Sequence, residues 1–175
     1  EAVVGQLTEP EHEAPKGRKT DPAGNLATDA LLWYGKKVDS SVAAAFNNSS
    51  GIRTKVKTGP LTKRGIYEII PFDNTGVIFT MSSEDLLAVL SESMNGGGRI
   101  IVSGITGELI QDREGVMDTS KLQIGGKAFN PNAKYRIIAN SLIAAGKGGL
   151  TGFAKGSERN DTGTLVRDSI LDFVT

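Results

Sequence analysis

The chain has 175 residues, with 20 Lys and Arg against 20 Asp and Glu, 22 Gly and no Cys, so its formal net charge is zero. A chain of this length is expected to form one compact domain burying about 70% of the surface its unfolded form exposes. The balanced charge argues against a general nucleic-acid surface, the lack of cysteine excludes disulfides and thiolate chemistry, and no apolar run approaches the about 18 residues that span a bilayer.

In chain order, EAVVGQL (1–7) reads as a short strand and TEPEHEAPKGRKTDP (8–22) as an irregular connection with three prolines. Asp21 followed by Pro22 is an N-cap with proline in the first turn. Leu26, Ala27, Ala30, Leu31 and Tyr34 then recur at helical spacing up to Gly35. A small-residue strand is expected from Val42 to about Phe46, running into a polar turn with Gly51. LTKRGIYEIIPFDN holds a short helix or turn that Pro71 terminates, because proline disfavours helical geometry in the residue before it. GVIFTM (76–81) is a strand. Ser82 or Ser83 caps a helix with Leu86, Leu87, Leu90 and Met94 on one face, and Gly96, Gly97 and Gly98 end it.

RIIVSG, GELIQD, KLQIGGKAF and KYRIIANS read as four further strands, the middle two placed around the turn-rich DREGVMDTS. AAGKGGLTGF is a glycine-rich loop. Asp161 or Thr162 starts a last helix carrying Val166, Ile170, Phe173 and Val174 on one side. Helices and strands alternate without strict βα repetition, so the expected class is α+β, with layered mixed sheets and flanking helices, in one domain over residues 1–175.

Three segments bear on chemistry. In NNSSGIR, Asn48 can donate and accept, Gly51 permits a positive φ or a close backbone approach, and Arg53 presents a planar fork suited to carboxylate or phosphate. A polar surface turn with an exposed arginine fits the same residues. In PFDN, Phe72 is either a loop aromatic that stacks on a planar base or a core residue. GKGGLTGF fails the P-loop pattern, since Gly148 follows Lys147 where Ser or Thr is required, and fails the dinucleotide pattern at Thr151. It leaves a flexible loop whose Leu150 or Phe153 could oppose Phe72. The basic cluster Lys16, Arg18 and Lys19 meets a phosphate or simply faces solvent. The single histidine, His12, is a loop residue, leaving no two-histidine metal site and no Ser-His-Asp relay. Metals and acid–base groups for any hydrolysis therefore belong to another domain or polypeptide.

Taken in order, AGNLATDALL, FNNSSGIR, IIPFDN, SSEDLLAVLSESM, KYRIIANSLIAAGKGG and the DTG before the expected last helix resemble the C-terminal domain of the 5'-nucleotidase family, over nearly the whole chain. The resemblance implies a periplasmic or secreted two-domain phosphohydrolase. Its N-terminal metallophosphatase domain, outside this chain, would carry two divalent metal ions, and its C-terminal domain would recognise the nucleotide or nucleoside. In such enzymes the base lies between two aromatics, and a domain rotation carries substrate to the metals.

By motif, Asn48, Gly51 and Arg53 match the Asn-x-Gly-Gly-Ile-Arg element, and Phe72 with Asn74 matches the first stacking aromatic. Arg18 lies near the upstream arginine, and Asp161 matches the ribose-binding aspartate. Ser50 stands where the family has Gly, and GKGGL puts Leu150 where the second aromatic is expected, with Phe153 three residues beyond. The expected function is substrate recognition without catalysis by this chain alone, with no metal or other cofactor of its own and no nucleic-acid or transmembrane role. A degenerate member serving as a binding or structural module is the alternative.

Overall fold

The computed structural model describes residues 2–7 and 21–175. Its centre is a five-stranded mixed sheet in the order β12, β4, β11, β2, β5. These strands are β2 (Val42–Asn48), β4 (Thr75–Ser82), β5 (Ile100–Ser103), β11 (Lys134–Asn140) and β12 (Ser157–Leu165). β11 and β2 are parallel, and the other neighbours are antiparallel. Val77, Phe79, Met81, Ile137 and Ala139 point to one face and Ile78 and Ile138 to the other, each in a buried cluster. Burial on both faces is why β2, β4 and most of β11 read as continuous apolar runs rather than as alternation.

One face carries α1 (Pro22–Val38), α2 (Lys63–Ile69) and α5 (Val166–Val174). The other carries α3 (Ser83–Met94), the single turn α4 (Ser141–Ala144) and a 3-10 turn at Thr151–Lys155. This is the expected α+β arrangement of layered sheet and flanking helices. Smaller ribbons complete it. β1 (Val3–Leu7) pairs with β3 (Gly59–Thr62), and β6 (Ile105–Thr106), β9 (Gln123–Ile124) and β10 (Lys127–Ala128) form a three-stranded patch. β7 (Ile110–Gln111) pairs with β8 (Met117–Asp118).

The caps follow local chemistry. Asp21 accepts the Gly24 N–H at 3.0 Å, with Pro22 at the first helical position. Ser82, not Ser83, caps α3: it accepts the Asp85 N–H at 3.0 Å and donates to the Asp85 carboxylate at 2.7 Å. Ser83 donates instead to the carbonyls of Asn130 and Ala133.

The expected elements are corrected in three places. Helix α1 continues through Gly35 to Val38, because that glycine serves helix–sheet contact: a Cβ there would lie 2.9 Å from Cγ2 of Ile138. KLQIGGKAF is not one strand but a hairpin, β9 to β10, turned by Gly125 and Gly126 with φ of 62° and 77°. The last helix begins at Val166, not at Asp161 or Thr162. Asp161 accepts the N–H of Gly163 at 3.0 Å, with Gly163 at φ 69°, so DTG makes a turn within edge strand β12, which pairs with β4. An Asx turn and a helix cap use the same residue types. The start of α5 is set from elsewhere in the fold, by the Val166 N–H donating to the Asn74 carbonyl at 2.9 Å.

Candidate functional site

The C-terminal ends of the parallel strands β2 and β11 and the start of antiparallel β4 lie at one edge of the sheet, since Ala139 pairs with Phe46 and Asn140 with Gly76. Asn48 is the last residue of β2, and a 3-10 turn over Ser49–Gly51 leads from it to Arg53. The Arg53 N–H donates to the carbonyl of Ile69 at 2.9 Å, tying this turn to the end of α2, three residues before Phe72. Asp161 pairs with Val77 next to the same end of β4. Topology therefore gathers Asn48, Gly51, Arg53, Phe72, Asn74 and Asp161 at one sheet edge. Neighbouring strands stand about 4.8 Å apart, so Asp161 on β12 and Asn48 on β2 are separated by three spacings, roughly 14 Å.

Asn48 is 4% exposed. Its Oδ1 accepts from Nδ2 of Asn140 at 2.9 Å, and its own Nδ2 donates to the Ser50 hydroxyl at 2.7 Å. Asn140 also donates to Oδ1 of Asn47 at 3.0 Å and accepts the Leu142 and Ile143 N–H groups as the cap of α4. Asn47 continues the chain to Thr28, which donates to the Gly24 carbonyl. A buried polar network thus runs from the first turn of α1 to the Ser49–Gly51 turn. Buried amides this fully paired hold geometry, because leaving any one of them unpaired costs a desolvated group. Gly51 serves close approach and not a positive φ: a Cβ there would stand 3.3 Å from Oδ1 of Asn48.

Arg53 is exposed, and its guanidinium comes no closer than 3.5 Å to the Ser50 carbonyl. It lines a cleft of about 1130 Å³ together with Lys55 and Arg99, beside Asp21 and Asn25 at the start of α1. The sequence alone does not single out Lys55 and Arg99. Arg99 reaches the cleft because β5 pairs with β2, and its carbonyl accepts the Ser49 N–H at 2.8 Å. No local pattern marks that pairing. For Asn140 a signal does exist, an Asn directly before the helical SLIA.

Phe72 is 42% exposed, so it is not a core residue. Its loop is held by Arg167, which donates to the Phe72 carbonyl at 3.3 Å and to the Asp73 carboxylate at 2.6 Å. The Asn74 carbonyl is taken by Val166, and its side-chain amide makes no hydrogen bond among the described residues. Leu150 and Phe153 are elsewhere. Both are fully buried, and Phe153 packs edge to face on Phe46 at 5.2 Å and Phe79 at 6.1 Å between ring centres. Neither can oppose Phe72, which corrects the expectation from GKGGLTGF. That loop is pinned by backbone: the Gly98 N–H donates to the Gly149 carbonyl at 3.1 Å, and a Cβ on Gly98 would lie 2.0 Å from the Gly148 oxygen. Glycine is required on both sides for two backbones to approach, not for a phosphate.

Arg18, with Lys16, Lys19 and His12, lies outside the described residues. Among the described residues no group of three or more His, Cys, Asp or Glu is placed to hold a metal ion. No helix among these residues is long and apolar enough to cross a membrane.

Known proteins give the chain a family. The family model of the 5'-nucleotidase C-terminal domain matches residues 3–155. A probable 5'-nucleotidase of Treponema pallidum is 27% identical over 188 residues, covering 93% of this chain and 31% of that protein. The trifunctional nucleotide phosphoesterase YfkN of Bacillus subtilis is 26% identical over 150 residues, covering 80% of this chain and 10% of that protein. The chain therefore spans between a tenth and a third of these curated relatives. Among solved structures, a 5'-nucleotidase precursor from Thermus thermophilus superposes with a TM-score of 0.73 at 26% identity, covering 98% of this chain and 36% of its own. The NAD nucleotidase of Haemophilus influenzae shares the fold at a TM-score of 0.76 and 22% identity, with 98% and 35% covered. With the match spanning most of the chain, this protein belongs to the 5'-nucleotidase C-terminal domain family.

Proposed function

We propose that this domain recognises the nucleotide substrate of a 5'-nucleotidase-like phosphohydrolase acting in nucleotide catabolism. The dimetal phosphatase domain would be supplied by a longer parent chain or a separate polypeptide, in the periplasm or outside the cell. The observation that supports this reading is the shared sheet edge, where Arg53 stands without an acidic partner and its backbone is tied to Ile69, three residues before a displayed aromatic ring. In this reading the Arg53 fork binds phosphate, Phe72 stacks on one face of the base, and Asn74 and Asp161 meet ribose hydroxyls. Asn48 and Gly51 hold the turn that aims Arg53. The domain's contribution to hydrolysis is positioning, which removes translational and rotational freedom before the chemical step.

A second reading, a family member that has lost ligand recognition and serves as a binding or structural module, is favoured by the burial of Leu150 and Phe153. The base would have an aromatic on one side only. Calorimetric titration of the chain with AMP, adenosine and inorganic phosphate, without added metal, separates the two. AMP binding tighter than either fragment supports a site joining base and phosphate contacts. Absence of binding by all three sinks the recognition reading in favour of the module.

A further inference from the structure

Many basic side chains in this neutral molecule are matched. Lys121 pairs with Glu108, Lys155 with Asp85, Arg136 with Asp39 and Arg167 with Asp73. Lys37 lies over Trp33, Lys63 over Tyr67 and Arg159 over Phe79. Nine others have no such acidic or aromatic partner among the described residues, and six of the nine gather in two places. Arg53, Lys55 and Arg99 line the cleft already described, and Lys36, Lys127 and Lys134 line a second one of about 620 Å³.

The second cleft is at the other end of the sheet. Lys134 is the first residue of β11 and Val42 the first of β2, whereas Asn140 and Asn48 are their last. Strand β2, at about 3.3 Å per residue, puts the two clefts roughly 20 Å apart. The three lysines come from three elements distant in sequence: the last turn of α1, strand β10 and strand β11. The floor is apolar, with Val42 and Ile124 buried. One wall is Tyr135, whose ring stacks on Phe129 and whose hydroxyl is occupied by the backbone of Asn130.

No Asp or Glu lines this cleft among the described residues. The nearest carboxylate along the chain, Asp39, is taken by the Ser41 hydroxyl at 2.6 Å and by Arg136 at 3.0 Å. Like charges gathered without a counterion repel one another, and a bound anion relieves that repulsion while the concave wall concentrates the field. The cleft's volume falls within the range of small-molecule sites. Lysine ammonium groups are point charges suited to phosphate oxygens.

We infer that the cleft of Lys36, Lys127 and Lys134 is an anion site for a small phosphorylated molecule, separate from the proposed nucleotide site. The ammonium groups hold the phosphate, and an organic body rests on Val42, Ile124 and the Tyr135 ring. The shared chemistry is the phosphate dianion, free or esterified.

The test is an amide NMR titration of the 175-residue chain with inorganic phosphate and, separately, phenyl phosphate, at low ionic strength. The expected result is saturable movement of the Ser40, Gly125 and Lys134 signals. The Lys127→Gln/Lys134→Gln double substitution should weaken it about tenfold or more, as loss of charged hydrogen bonds does, and Arg53→Ala should leave it unchanged. Tighter binding of phenyl phosphate identifies an ester, and equal binding identifies the free ion. The inference is overturned if neither probe saturates, if the shifts are confined to Ser49–Arg53, or if the double substitution changes nothing. Nucleotide binding lost on Arg53→Ala would survive such a failure, so the two readings fall independently.

Discussion

Nδ2 of Asn140 donates to Oδ1 of Asn48 at 2.9 Å, joining the end of β11 to the end of β2 across 92 residues of sequence. The same side chain caps α4 and holds Asn47, so one amide fastens the base of the turn that carries Arg53. Asn140→Ala leaves buried acceptors and two helix N–H groups unpaired, and is expected to cost about 3 kcal/mol. A urea titration should show a lower midpoint with unchanged slope.

Arg53 and Phe72 should separate by ligand. If Arg53 binds phosphate, Arg53→Ala weakens AMP by about 1.5 to 3 kcal/mol and adenosine little, since a charge-assisted bond is lost. Phe72→Ala, removing a stacking face worth about 1 to 3 kcal/mol, weakens both alike. Calorimetry on the two variants reads this directly, and equal losses for every ligand in both would contradict these roles.

Phe153 belongs to the core. Phe153→Ala is expected to cost about 3 to 5 kcal/mol by opening a cavity against Phe46 and Phe79. Phe153→Leu should cost less and leave AMP affinity intact. A variant that keeps its stability yet loses nucleotide would restore Phe153 to the site.

Glycine at position 98 is required by contact and at position 96 by conformation. A Cβ on Gly98 meets the Gly148 carbonyl oxygen at 2.0 Å, whereas Gly96 has open space around it and a φ of 92°. Gly98→Ala is expected to lose about 2 kcal/mol or more through forced backbone shifts, and Gly96→Ala about 1 kcal/mol through left-handed strain. Thermal melts of the pair should fall in that order.

Asp39 lends the fold an acid limit. The Ser41 hydroxyl, then Arg136, hold its carboxyl below the ordinary value of 3.8. A depressed carboxylate stabilises the folded state fully above its unfolded value, and the contribution is lost as pH falls through the folded one. Stability should therefore drop below about pH 4. Asp39→Asn should narrow the difference between urea midpoints at neutral and acid pH, and an unchanged difference would exclude this group as a source.

Where both partners of an interaction lie within one turn of chain, the sequence is readable. Asp21 with Pro22, Ser82 with Asp85, and Pro71 after Ile70 each declare a helix end through neighbouring residues. The site is partly readable for the same reason: NNSSGIR and PFDN are short and local. Arg99, the link from Asn140 to Asn48 and the lysine-lined cleft are not, because each joins residues some 50 to 90 positions apart, although Asn140 before SLIA does signal a helix cap. DTG misleads because a turn inside an edge strand and a helix cap use the same side chains.

By itself, then, the order of residues determined the α+β class, the starts of α1 and α3, the apolar central strands and the family, since each rests on local propensity, periodicity or motif order. The tertiary structure alone decided which aromatic is displayed. Phe72 and Phe153 are equally apolar and both adjoin polar or glycine-rich chain, but Arg167 holds the first loop at the surface while the second ring packs on Phe46 and Phe79 of distant strands. Whether a ring faces solvent depends on which distant backbone it is fastened to, and that information is carried by no window of the chain.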